Sequence, residues 1–306
     1  MLAECVIEPE VMAQWRHFQS LEEDFGVRQA RMICEFPSKW RRAVIQRSQS
    51  MVSEGKNTEL QRKRMIEIMT SERFRRKLIP AGHSRSAFDP DESWLANARR
   101  ALPSFDLIIK ASSGKDGSEV CADELIKSEP PFFRSTQNWV QRTRTDLINA
   151  AELLLRNCSN LVLVEPNFRA DETRFSYTTI ELFERVEELN PNLKTIELHT
   201  QQVRSRDEVF NATARESVFR RYLSAHVPRG CALHVFHWSR LPDGNRLHPR
   251  FLLTNQGGLH FDYGIDESPS ESTLVSSLDD HIAQGLVEAL KTTPRLECDR
   301  HSFVII

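Results

Sequence analysis

The sequence predicts an α/β protein in two parts: a mainly helical, basic region over residues 1–130 and a layered α/β domain with flanking helices over residues 131–306. Three observations lead there. After residue 135, short apolar runs alternate with amphipathic stretches, the pattern of strands separated by helices. The run Leu-Val-Leu-Val at 161–164 is continuously apolar, as expected of a strand covered on both faces. The first hundred residues instead space their apolar positions by threes and fours.

Taken in order, residues 11–21 and 39–52 read as helices, the second opening at Pro37-Ser38. Residues 58–78 place Leu60, Met65, Ile68, Met69 and Phe74 on one side and most cations on the other, until Pro80-Ala-Gly82 ends the pattern. A short helix over 93–102 stops at Pro103, and residues 105–109 read as a buried strand. The stretch 112–118 holds glycine and lysine without phosphate-loop spacing. It and the break at Pro130-Pro131 place the domain boundary near 130. Beyond it, helices are expected over 139–157, 177–189, 207–225 and 278–291, the last capped by Ser277. Strands are expected at 161–164, 195–199, 231–237, on both sides of residues 255–258, and at 302–306, with a turn at 242–245.

Composition narrows the function. The protein has 306 residues, 40% hydrophobic and 27% charged, enough for a packed core. No window reaches the length of a membrane span, and the N-terminus lacks a cationic leader, so a cytoplasmic protein without integral membrane association is expected. The six cysteines are scattered and form no zinc spacing, so they read as reduced thiols. The net charge is −2, yet residues 36–87 carry thirteen Lys/Arg against four Asp/Glu. That segment, with Arg41, Arg42, Arg62, Lys63, Arg64, Arg73, Arg75, Arg76 and Lys77, suggests contact with nucleic acid or another polyanion. A solvated helical face is the plainer alternative.

The stretch 247–264 holds the most suggestive chemistry. His248 and Arg250 open an apolar run, and at i and i+2 on a strand they would share a face and address one anion. Asn255 follows, then Gly257 and Gly258, then a second short run ending at Gly264. With the order of elements, this motif resembles the phospholipase D superfamily. That family's signature is histidine, any residue, lysine, four residues, aspartate, and then a glycine-containing turn and strand. Upstream, Glu165-Pro-Asn-Phe168 resembles the strand-then-Asp-Pro-Tyr segment of single-copy members, among them uncharacterised bacterial proteins and domains linked to MIT modules. The likeness spans roughly residues 135–295.

The resemblance implies phosphodiester chemistry without a metal or cofactor. One histidine attacks phosphorus and a second protonates the leaving oxygen; a single-copy chain would supply both as a two-fold homodimer. His248, Arg250 and Asn255 would be the catalytic set, and Glu165, His199, Gly257 and Gly258 would line the cleft. Two departures bear on this. Arg250 replaces the lysine and keeps a bidentate cation for phosphate. Asn255 replaces the aspartate and brings no charge to stabilise an imidazolium. Asp262 and Asp266 lack a third ligand at a telling spacing, and His234 and His237, at i and i+3, face opposite sides of a strand. Three functions fit: a non-catalytic or weakly active subunit of a nucleic-acid-processing or bacterial defence-type assembly, holding nucleic acid or partner proteins; a dimeric nuclease; and an anionic-lipid binder.

Overall fold

A computed structural model describes residues 1–81, 88–114, 116–202, 209–239, 247–292 and 300–306. Arg85, Cys298, the expected turn at 242–245 and the first residues of the expected helix over 207–225 lie outside the described residues. The chain divides into two units, Met1–Thr136 and Gln137–Ile306, so the division falls six residues after the expected 130.

The first unit runs β1 (Ala3–Ile7), α1 (Pro9–Ala13), α2 (Trp15–Leu21), β2 (Arg31–Glu35), α3 (Trp40–Ser53), α4 (Glu59–Thr70), α5 (Glu72–Arg75), β3 (Leu78–Pro80), α6 (Trp94–Arg100), β4 (Leu107–Lys110) and β5 (Glu119–Cys121). Its strands form one sheet in the order β3-β2-β1-β4-β5, every pair parallel. Helices still hold more of residues 1–130 than strands do, but they flank a parallel sheet that the expected helical region did not include. The strands are three to five residues long and almost wholly buried, so no polar alternation marks them. β2, Arg-Met-Ile-Cys-Glu, carries a charge at each end, and a core of three apolar residues has no readable period.

Two expected helices are divided for local reasons. The helix over 11–21 breaks at Gln14, whose backbone is extended. Asn57 bridges the break, accepting from the Trp15 amide (3.0 Å) and donating to the Ala13 carbonyl (2.8 Å). The helix over 58–78 becomes α4, opened by a Thr58/Gln61 capping box, and α5, opened by Ser71. The core gathers Ile7, Val11, Ile33, Val44 and Ile109 around fully buried Trp40, whose indole N–H donates to the Ile7 carbonyl.

The second unit runs β6 (Gln137–Arg142), α7 (Arg144–Leu155), β7 (Leu161–Val164), α8 (Thr173–Leu189), β8 (Thr195–Gln201), α9 (Ala212–Leu223), β9 (Ala232–Trp238), β10 (Phe251–Thr254), β11 (Gly257–Phe261), β12 (Ser268–Leu278), α10 (Asp280–Thr292) and β13 (Arg300–Ile305). Its eight-stranded sheet has the order β13-β9-β8-β7-β10-β11-β12-β6. β7, β8 and β9 are parallel, and the remaining pairs are antiparallel. Two expectations shift here. Residues 139–142 belong to edge strand β6, and the helix opens only at Thr143, whose hydroxyl accepts from the Asp146 amide. Ser277 lies in β12, and Asp279 takes the capping position, accepting from the His281 amide (2.8 Å).

The alternate faces of this sheet are covered by different helices. Val162, Val164 and Leu253 pack against Ala283 and Leu286 of α10. The register sets Leu161, Leu163, Ile196, Leu198, Val235 and His237 on the opposite face, and α8 and α9 pack beside each other. There Phe219 of α9 meets His237 and Phe303, at ring centroid distances of 5.2 and 5.7 Å. His237 is 1% exposed, and neither ring nitrogen has a hydrogen-bond partner among the described residues. Burial, reinforced by the charges of Arg215 and His301, pushes its imidazole down to about 3.

Candidate anion site at the carboxyl edge of the large sheet

The strand directions bring four distant segments to one edge. β7 and β8 end there. β10 runs against β7, so its first residue, Phe251, stands opposite Val164, and β11 returns to put His260 opposite Phe251. Glu165, Gln201, Arg250 and residues 262–266 therefore gather at the carboxyl ends of the parallel strands, the usual ligand position in α/β sheets.

Glu165 is the centre. It is 3% exposed, and its carboxylate accepts from the Asn167 amide (3.1 Å) and the Ile265 amide (3.2 Å). Arg250 Nε lies 3.7 Å from it, and another Arg250 nitrogen donates to the Asp262 carbonyl at 3.3 Å. Burial raises the Glu165 carboxyl above its ordinary range, and the nearby Asp266 charge adds to the rise, against the two amides and Arg250.

Beside it is a second, fully used carboxylate. Asp266, 3% exposed, accepts from Arg142 (2.7 Å) and Arg174 (3.0 Å), and Arg142 also pairs with Glu271. Gly264, at φ 127°, makes this packing possible. A Cβ there would stand 2.4 Å from an Asp266 oxygen and 3.3 Å from a Glu165 oxygen. Sequence reasoning missed Arg142 and Arg174, because both lie far in sequence from the motif. No local signal marks either: Arg142 stands in the polar stretch Gln-Asn-Trp-Val-Gln-Arg-Thr-Arg and Arg174 follows Asp-Glu-Thr, and the 6% exposure of Arg142 shows only in the fold.

The sequence-derived site residues are only partly brought together. His248 is exposed and lies before β10 rather than on it, and no hydrogen-bond or ion-pair partner stands beside its ring among the described residues. Asn255 is not in this site. It forms the β10–β11 turn, five residues from Arg250, or about 17 Å along an extended strand. Its side chain there accepts from the Ser159 amide at 2.7 Å. Gly257 and Gly258 share that far end. Gly257 supplies φ 149°, and a Cβ on Gly258 would meet Leu253 at 2.7 Å, so both serve the hairpin.

His199 is 1% exposed and lines no open cleft. Its Nδ1 accepts from the Trp238 indole at 3.0 Å, and since indole only donates, the proton sits on Nε2, 3.2 Å from Glu197. Among the described residues, no group of three His, Cys, Asp or Glu side chains is placed to hold a metal ion. Among the described residues, no helix is long and apolar enough to cross a membrane. Cys5, Cys34, Cys121, Cys158 and Cys231 are free and buried.

The basic segment lies in the other unit, and half of it is neutralised where it stands. Lys77 is buried on Glu22 (3.0 Å), and Arg41 pairs with Glu35 (2.7 Å) and Arg62 with Glu59 (2.6 Å). Arg73 and Arg76 lie 3.7 Å from Glu23 and Glu72. Arg42, Lys63, Arg64 and Arg75 are exposed without an ion-pair partner among the described residues. A groove of about 750 Å³ beside α4 balances Lys63, Arg64 and Arg73 against Glu22, Glu23 and Glu67.

No family model and no curated protein matches the chain. Among solved structures, it is similar to phosphatidylserine synthase of Haemophilus influenzae Rd KW20, with a TM-score of 0.37 and 13% identity over 54% of this chain and 38% of that one. It is also similar to TrmBL2, an archaeal chromatin protein whose structure shows a novel mode of DNA binding, with a TM-score of 0.27 and 11% identity over 53% of each chain. The chain thus covers between about two fifths and about half of these neighbours' lengths.

Proposed function

We propose that the protein is a phospholipase-D-like subunit, non-catalytic or weakly active, that binds nucleic acid within a nucleic-acid-processing or defence-type assembly. The observation that carries this reading is the condition of the His248–Arg250 pair. A phosphohistidine route needs an oriented nucleophile and a second group to protonate the leaving oxygen. Here Arg250 leans on buried Glu165, Asn255 serves a turn at the other end of β10, and His248 has no orienting neighbour among the described residues. Nucleic acid is held by the exposed cations Lys63, Arg64 and Arg75.

The test combines chemistry with binding. In EDTA, cleavage of single- and double-stranded DNA and RNA is expected to be absent or slow, and unchanged in His248→Ala. Cleavage abolished by that substitution overturns the non-catalytic reading in favour of a dimeric nuclease. Binding of a labelled oligonucleotide, followed by anisotropy, is expected to weaken with salt, each phosphate contact contributing about 0.7 to 0.9 to the log–log slope. Reversing Lys63, Arg64 and Arg75 to Glu is expected to reduce that slope by about 2 to 3. A flat salt response removes nucleic acid from the account.

A further inference from the structure

We infer that the N-terminal unit carries a separate site for a nucleoside monophosphate, at the carboxyl end of β2. The unit is an all-parallel sheet of order β3-β2-β1-β4-β5, and such sheets bind ligands beyond the carboxyl ends of their strands. A cavity of about 600 Å³ lies there, within the size range of small-molecule sites. It is bounded by Glu35 at the end of β2, the start of α3 and the end of α4.

Charge selects the ligand. Glu35 and Arg41 cancel as a pair at 2.7 Å, which leaves Lys39 and Arg42 as two exposed cations on the same cavity with no ion-pair partner among the described residues. A phosphate dianion matches them. α3 adds to the field. It is fourteen residues long, and among the described residues no side chain caps its first turn, so its first-turn amides and the positive end of its dipole face the cavity. Lys39 precedes that turn in the left-handed region, at φ 74°, a conformation uncommon for a residue with a Cβ.

The rest of the lining suits a nucleoside. Ile45, partly buried, offers an apolar contact for a flat ring, backed by Met69 in the core beneath. Glu35, Gln46 and Thr70 offer acceptors and donors for ribose hydroxyls and base edges. A dinucleotide is excluded by the turn after β1, Glu8-Pro-Glu10, which has no glycine to admit a pyrophosphate. The Glu8 carboxylate also takes the Ala111 amide, at 2.7 Å, where the chain leaves β4. The crevice between β1 and β4 is thus acidic, and the anion site lies one strand over.

The test uses the full chain with AMP, GMP, CMP and UMP, and with inorganic phosphate, by isothermal titration. At least one monophosphate is expected to bind saturably, at least tenfold tighter than phosphate. Arg42→Glu is expected to weaken it at least tenfold. Lys39→Gly suits the left-handed backbone and removes only the side chain, so it is expected to weaken binding without lowering the melting temperature. The triple reversal of Lys63, Arg64 and Arg75 is expected to leave monophosphate binding intact, which separates this site from the polynucleotide surface. No saturable binding at millimolar monophosphate overturns the inference. So does binding indifferent to Lys39→Gly and Arg42→Glu, or inorganic phosphate binding as tightly as any nucleotide.

Discussion

Acidification is expected to loosen the C-terminal unit through His237. The ring is enclosed by Phe210, Phe219, Phe303 and His301, with centroids 5.2 to 6.2 Å away, and neither nitrogen has a hydrogen-bond partner among the described residues. The unfolded chain binds a proton at about 6.5, whereas the folded ring does so only at about 3. Its contribution is therefore intact above pH 6.5 and is lost progressively as pH falls toward 3. Linkage with these values gives a loss of about 2 kcal/mol between pH 8 and pH 5, approaching about 5 kcal/mol below pH 3. Glu165 works the other way, because its raised carboxyl takes up a proton more readily in the folded state as pH falls. The comparison must therefore be with a variant that changes only the imidazole. His237→Phe keeps the aromatic packing and removes the titration. Urea melts of both proteins at pH 8, 6.5 and 5, followed by hydrogen exchange at the β9 amides, are expected to show the variant gaining about 2 kcal/mol on wild type across that range. Parallel curves would mean that the ring is already protonated or hydrated, and would refute the argument.

Three further outcomes are expected. Gly264→Ala places a Cβ against the Asp266 and Glu165 carboxylates at positive φ, and is expected to cost about 2 to 4 kcal/mol in a thermal melt; a cost below about 0.5 would mean the segment shifts freely. Asp266→Ala leaves buried Arg142 with Glu271 alone and is expected to cost about 3 to 5 kcal/mol, measured by urea unfolding, whereas a neutral result would mean that water reaches Arg142. Asn57→Ala removes both hydrogen bonds across the α1–α2 break and is expected to cost about 2 to 3 kcal/mol in the N-terminal unit, with faster exchange at the Trp15 amide as the local signature.

The legible parts of the fold were those with a long enough period. α8 and the runs of β7, β8 and β9 could be read because apolar residues recur over seven or more positions or fill a strand that neighbours cover on both sides. β1, β2 and β3 are three to five residues long, with charges at Glu4, Arg31 and Glu35, and only parallel pairing makes strands of them. The candidate site was half legible for a related reason. A local motif marks His248 and Arg250, and Glu165 stands at a strand exit. Arg142 and Arg174 meet Asp266, and Asp266 comes beside Glu165, only because β10 and β11 run antiparallel beside a parallel trio, a pairing no local window contains. Asn255 misled because strand spacing places it near Arg250 in sequence while the strand itself carries it away.

The position of β6 has a practical consequence for dissecting the molecule. It begins at Gln137, the first residue of the C-terminal unit, and its one neighbour in the sheet is β12. A fragment starting at Gln137 keeps that strand. One starting a few residues later, at the α7 cap Thr143, strips it off and leaves one side of the eleven-residue β12 with unsatisfied amides and carbonyls. Such a bare margin recruits other chains. The shorter fragment is thus expected to self-associate even if its core folds, and insolubility there would report a missing strand rather than dependence on the N-terminal unit.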